Sequence, residues 1–222
     1  MATSSTELRA GALLFDLDGT LVDSTALITE AWTRWAIELG LRREAFLGIA
    51  LHGRPARDIV HDLVPDREEE ALRRILDIEV STRGGVSTLP GVDRLLHRLR
   101  PEAWAVVTSG SRDIAEPRLA ALPVRPRVVV TADDVRRGKP DPEPFLLAAR
   151  RLHVTDLARC VVVEDAPAGL AAAAAAGMRS VAVTTTHRRD QLTASVVIPD
   201  LDSLEVEQEE GEVVLRVAGL SG

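Results

Sequence analysis

Short runs of consecutive apolar residues alternate along this chain with longer stretches in which apolar positions recur every three or four residues. The runs are 12–18 (ALLFDLD), 104–108 (WAVVT), 128–131 (VVVT), 160–165 (CVVVED) and 180–184 (SVAVT), most of them rich in valine. Unbroken apolar runs of this length predict strands covered on both faces, as in a parallel sheet. Between them, 92–100, 112–122, 142–152 and 167–177 have helical spacing or composition, punctuated by Pro90-Gly91 and Gly177. The pattern predicts an α/β fold, a Rossmann-like parallel sheet with helices on both faces.

The alternation breaks once. Residues 24–39 predict an amphipathic helix with Leu27, Ala31, Trp35 and Leu39 on one face and Ser24 as N-cap. Stretches 55–63 and 66–80 also read as helices, so 23–89 is expected to be an inserted α-helical cap domain on a core made of 1–22 and 90–222. The tail, 206–217, reads as an edge hairpin turning at Glu210-Gly211, and residues 1–9 as a disordered leader.

Composition narrows the function classes. With 222 residues and 45% hydrophobic content, the chain can bury a full α/β core and a smaller accessory unit. Its 27 basic and 34 acidic residues give a net charge of −7, which argues against nucleic acid and anionic membranes as partners. No apolar stretch approaches the roughly 20 residues of a membrane helix, and the N-terminus lacks a secretory hydrophobic region. Cys160 is the only cysteine and opens an apolar run, so a buried thiol in a reducing, cytoplasmic setting is expected. Every basic residue except Lys139 is arginine, which implies a position that needs a compact ammonium rather than a planar guanidinium.

The candidate chemistry sits at the strand ends. The first strand runs into Asp16-Leu17-Asp18-Gly19-Thr20, two carboxylates where open α/β sheets bind their ligands. Alone, such a pair is also a common solvated strand end. Three other strands end similarly: Ser109-Gly110 follows WAVVT, Lys139 lies in GKPDPEP after VVVT, and Glu164-Asp165 closes CVVVED. A nucleophile, a hydroxyl with an exposed N–H, a cation and an acidic metal-binding pair are what phosphoryl transfer needs.

The segments DLDGTLVDS, VVTSGS, GKPDPEP and VVVEDAPAG resemble, in order, the four motifs of haloacid-dehalogenase-like phosphatases. Within them, HGRPARD, WAVVTSGSRD, VTADDVRRGKPDPEPFL and EDAPAGLAAAAAAGM are most similar to glycerol-phosphate and 2-deoxyglucose-6-phosphate phosphatases. The resemblance implies that Asp16 attacks phosphorus and forms an aspartyl-phosphate, and that Asp18 protonates the leaving alkoxide and then activates water. It implies Mg²⁺ held by Asp16, the Asp18 backbone carbonyl, Asp165 and Glu164, the last through water, and phosphate bound by Ser109, Gly110 and Lys139. Thr108 is a near-equal claimant to the hydroxyl role, since the strand end could shift by one residue.

In the cap, His52, Arg54 and Arg57 are the candidates for meeting the far end of the substrate, as is Arg112 beside the phosphate loop, each with a structural or surface role as its competitor. The resulting expectation is a monomeric, Mg²⁺-dependent phosphatase acting on a small phosphorylated metabolite, a sugar or polyol phosphate. The nearest rival is a β-phosphoglucomutase-like phosphomutase, whose caps typically carry Lys where this chain has His52. A dehalogenase would lack Asp18, and a degenerate binding module would have lost one of the motifs.

Overall fold

A computed structural model describes residues 6–42, 49, 51–82, 84–209 and 211–217. Five of the apolar runs become parallel neighbours in a six-stranded sheet: β2 (Ala12–Phe15), β5 (Trp104–Val107), β6 (Val128–Val130), β7 (Cys160–Glu164) and β8 (Arg179–Val183). The sixth strand is β9 (Val196–Ile198), and the spatial order is β6-β5-β2-β7-β8-β9. The chain builds outward from β2 through β5 to β6, then crosses back to lay β7 on the other side of β2 and continues to β8 and β9. The reversal at β2 leaves a crevice beyond its carboxyl end.

Both faces of the sheet are buried, which is why its strands show no polar alternation. Leu13, Phe15, Trp104, Val106, Val161 and Val163 point into one core with helices α4 (Val92–Leu96) and α5 (Arg112–Leu119). Leu14, Ala105, Val107, Cys160 and Val162 point into the other, against α6 (Glu143–Arg151) and α7 (Pro167–Ala175).

Two expectations need correction. Part of the supposed leader is a strand, β1 (Thr6–Ala10), paired antiparallel with β11 (Glu212–Val217), which also pairs with β10 (Leu204–Glu209). Leu8 and Ala10 are buried, while the alternate charged positions form ion pairs, Arg9 with Glu209 and Glu212, and Glu7 with Arg216 of β11. An alternation this short and this charged reads as solvated until a partner strand is present. Of the expected hairpin turn, Glu210 lies outside the described residues and Gly211 takes φ +76°. The interval from 23 to 89 is also not free of strand, because β3 (Val22–Asp23) and β4 (Ser87–Thr88) pair antiparallel at its two ends.

Between those two short strands lie α1 (Thr25–Glu38), α2 (Ala56–Leu63) and α3 (Glu68–Ser81), with a core of their own. Trp32 and Trp35 meet edge to face at 5.2 Å, and the Trp35 Nε1–H donates to Ala71 O at 2.8 Å. Ser24 stands at the N-cap of α1 but makes no capping bond; the Asp23 carboxylate accepts from Thr25 N instead. Among the described residues, no helix is long and apolar enough to cross a membrane.

Candidate active site

β2 ends at Phe15, but Asp16 still donates its N–H to Val163 O at 2.9 Å, which places its side chain at the carboxyl edge of the sheet. The chain then turns through Gly19 at φ +87°, where a Cβ would lie 2.5 Å from Asp165 Oδ2. Glycine is required there because the positive φ strains any side chain and a Cβ would collide with Asp165 and Thr186, from the loops after β7 and β8.

Lys139 reaches this point from the loop after β6 and is buried. Its Nζ donates to Asp16 Oδ1 at 2.6 Å, Glu164 Oε1 at 2.7 Å and Val107 O at 2.9 Å, using all three ammonium protons. Glu164 spends its other oxygen on the N–H groups of Asp165 and Ala166, at 2.9 and 2.8 Å. Asp165 accepts from the Thr20 hydroxyl at 3.1 Å and from the Thr186 hydroxyl. Carboxylate oxygens of Asp16, Glu164 and Asp165 lie within 4.8 Å of one another.

Three buried carboxylates against one ammonium leave two negative charges without a partner. Burial pushes Asp16 well above the ordinary carboxylate range; Lys139 opposes this, and Glu164, Asp165 and Asp18 add to it. Burial and the Glu164 charge push Asp165 up to about 7. Lys139 is held above its ordinary range: burial disfavours its charge, but Asp16 and Glu164 outweigh that penalty. An all-oxygen donor set with this charge deficit fits a hard divalent cation such as Mg²⁺, with Asp16 and Asp165 as the available carboxylates and Glu164 already committed to Lys139 and two N–H groups.

Above the cluster lies a cavity of about 50 Å³ lined by Asp16, Asp18, Thr108, Ser109 and Gly110 from the sheet side and by His52, Arg54 and Glu79 from the helical layer. Gly110 N–H donates to Thr108 Oγ1 at 3.0 Å, and the Ser109 hydroxyl donates to Gly53 O at 3.3 Å. Thr108 and Ser109 thus both line the cavity, with the Thr108 hydroxyl closing a turn onto Gly110 and Ser109 tying the loop after β5 to the helical layer. Asp18 is held at both oxygens, by Ser24 Oγ at 2.6 Å and Arg118 Nη1 at 2.7 Å.

The recognition candidates divide. His52 lines the cavity, its Nδ1 is buried without a hydrogen-bond partner among the described residues, and burial lowers its pKa, favouring the neutral ring. Arg54 lines it too and pairs with Asp62 at 2.6 Å. Arg57 and Arg112 do not line this cavity, although Arg57 lines a neighbouring one of about 660 Å³ with Thr108, Ser109 and Lys139. Arg57 is bound by Glu68 and Glu69 in the first turn of α3, and Arg112 by Asp134.

Two charged cavity residues were not among the sequence candidates, Arg118 and Glu79. Each continues an apolar stripe: Arg118 follows Ile114 and Ala115 by four and three positions, and Glu79 follows Leu72 and Ile75 by seven and four. A charge in a stripe otherwise destined for burial was the available signal.

A family profile described as haloacid dehalogenase-like hydrolase matches residues 10–177. Hexitol phosphatase A of Escherichia coli (strain K12) is 38% identical over 219 residues, covering 94% of this chain and 100% of the relative. Glycerol-1-phosphate phosphohydrolase 2 of Saccharomyces cerevisiae is 32% identical over 221 residues, covering 93% and 88%. Among solved structures, a hydrolase from Pseudomonas syringae superposes with a TM-score of 0.75 at 27% identity, over 86% of this chain and 94% of the other. With strand-end residues from β2, β5, β6 and β7 converging on one buried cluster, the chain belongs to the haloacid dehalogenase-like hydrolase family.

Proposed function

We propose that this protein hydrolyses the phosphate monoester of a small polyol or sugar through a phosphoryl group carried transiently on Asp16, with Mg²⁺ as cofactor. The observation that carries this reading is the buried Lys139 spanning Asp16 and Glu164, in a cluster still short of two positive charges. Asp16 attacks phosphorus through the oxygen that Lys139 leaves free, and the bond from phosphorus to the substrate oxygen breaks. Asp18 gives its proton to that departing alkoxide, then takes one from water as the water displaces Asp16 and releases phosphate. Both Asp18 oxygens accept hydrogen bonds in this structure, and the Ser24 hydroxyl, which can accept as well as donate, can turn to take the bond from a protonated Asp18 while Arg118 stays in place. Thr108, Ser109 and Gly110 hold the phosphoryl oxygens, as does Lys139. Bound Mg²⁺, on Asp16, Asp165 and the Asp18 carbonyl, would supply the charge that keeps Asp16 ionised and shields its approach to a phosphate dianion.

The helices of 23–89 act as a cap that excludes bulk water during these steps. The cavity is far below the roughly 300 Å³ of ordinary small-ligand pockets, so substrate enters when the cap loop lifts. That loop rests on the core through Gly53, where a Cβ would meet the Ala166 Cβ at 2.3 Å, and through Pro55 against Gly138. Neutral His52, in place of a lysine, offers no cation to a second phosphate and favours transfer to water over transfer back to a phosphorylated sugar.

The relatives named for hexitol phosphate and glycerol 1-phosphate set the first assay panel. Inorganic phosphate is expected from these monoesters with Mg²⁺, lost on chelation and in Asp16→Asn. Interconversion of glucose phosphates without phosphate release would overturn hydrolysis in favour of the mutase.

A further inference from the structure

We infer that Glu79 is the specificity-determining residue that rejects a second anionic group on the substrate, restricting the site to monophosphates whose remaining carbons carry hydroxyl groups. This rests on the hydrolase reading above and concerns the part of the cavity that the reaction itself does not use.

The cavity contains positive charge, but none of it is free. Arg118 is bound to Asp18 at 2.7 Å, and Arg54 to Asp62 at 2.6 Å, while Lys139 below is shared by Asp16 and Glu164. Glu79, from the last turns of α3, lines the same cavity, and among the described residues its carboxylate makes no hydrogen bond or ion pair; the charge that favours its ionisation is Arg118, already held by Asp18. Beside it are the unpartnered Nδ1 of His52 and the apolar side chains of Ile28, Trp32, Leu51 and Ile114. The far end of a substrate therefore meets a carboxylate, a neutral ring nitrogen and hydrocarbon.

A hydroxyl group satisfies that surface, because it donates to the carboxylate and also donates to or accepts from the ring. A carboxylate or second phosphate brings only acceptors toward an acceptor and places like charges together in a small, largely desolvated cavity. An unpaired, half-buried carboxylate is also unfavourable for the cap itself, and burial pushes Glu79 up to about 7. A glutamine or leucine would serve the α3 stripe better if packing were its only task.

The test uses glucitol 6-phosphate and 6-phosphogluconate, equal in carbon number and differing at the far end as CH₂OH against carboxylate. Steady-state kcat and KM are measured at pH 8 with Mg²⁺ for wild type, Glu79→Gln and Glu79→Leu, with p-nitrophenyl phosphate as a third substrate. Wild type is expected to favour glucitol 6-phosphate by about tenfold or more in kcat/KM, the scale of one buried like-charge contact. Both variants are expected to lose most of that preference through a lower KM for 6-phosphogluconate, a change that a purely structural role would not direct to one substrate. Preference ratios unchanged in both variants, or absent in a wild type that releases phosphate from p-nitrophenyl phosphate, would overturn the role of Glu79 alone. No phosphate from any of the three substrates would overturn the hydrolase reading itself.

Discussion

At the scale of single residues, Lys139 shows why one lysine survives in a chain that otherwise uses arginine. Its ammonium is buried against Asp16, Glu164 and Val107 O, with the Phe145 ring centroid 5.2 Å away. Three donors diverging from one atom match three acceptors around a point, and a planar guanidinium cannot reproduce that in the same volume. Lys139→Arg is expected to lower kcat by about 100-fold or more, the scale of removing one preorganised charged donor. Near-wild-type turnover in that variant would refute the argument. Glu79 permits a test in the stability of the fold. Burial raises its carboxyl from the ordinary 4.5 to about 7, with Arg118 opposing and Asp18 adding to the shift. Below the ordinary value the folded and unfolded chains are both protonated there; above 7 the folded chain must hold a poorly solvated charge. Glu79→Gln should therefore melt above wild type at pH 8.5, with the gap closing as pH falls through 7 toward 4.5. Melting curves at several pH values check this, and a constant gap would show that Glu79 is not the group responsible.

At the scale of elements, the approach of α7 to β7 sets the acidic cluster. Gly169 lies in the first turns of α7, where a Cβ would come within 1.7 Å of Glu164 Oε1, the oxygen that accepts from Lys139. A helix packed this tightly against a strand end requires glycine for proximity, not for its backbone angles. Gly169→Ala is expected to force Glu164 off Lys139, costing about 1–3 kcal/mol of stability by overpacking together with most of the turnover. Retained activity with an unchanged melting temperature would show that the cluster tolerates displacement. The alanine-rich composition of 167–175 shows a helix that packs closely; it does not show which carboxylate the helix would meet.

At the scale of the whole molecule, the two uncompensated charges lie where the two halves of the sheet diverge from β2, so the same crevice that collects the reacting groups also concentrates their repulsion. A divalent cation bound there should stabilise the fold by mass action, by about 2.7 kcal/mol at a hundred times its dissociation constant. Mg²⁺ is expected to raise the melting temperature of wild type and to leave Asp165→Asn nearly unchanged, as read by thermal denaturation with and without EDTA. An equal rise in both proteins would place the cation elsewhere. The β1, β10 and β11 sheet adds Leu8, Val206, Val213 and Leu215 to the core on the side of α4 and α5, tying the two ends of the described chain to the sheet that carries the site.

The sequence by itself determined the α/β class, the parallel character of the central strands, the positions of Asp16, Asp18, Glu164 and Asp165 at strand ends and that of Lys139 in the loop after another strand. It could do so because doubly buried strands leave unbroken apolar runs, and local turn chemistry marks where each run stops. Only the tertiary structure decided that Thr108 and Ser109 both line the cavity while Ser109 also reaches Gly53, that Arg54 enters the cavity while Arg57 and Arg112 are bound elsewhere, and that Arg118 and Glu79 are part of it. The same holds for β1, whose short charged alternation has meaning only beside β11. In each case the deciding contact joins residues far apart in the chain, and a side chain's partner across a fold leaves no periodicity to read.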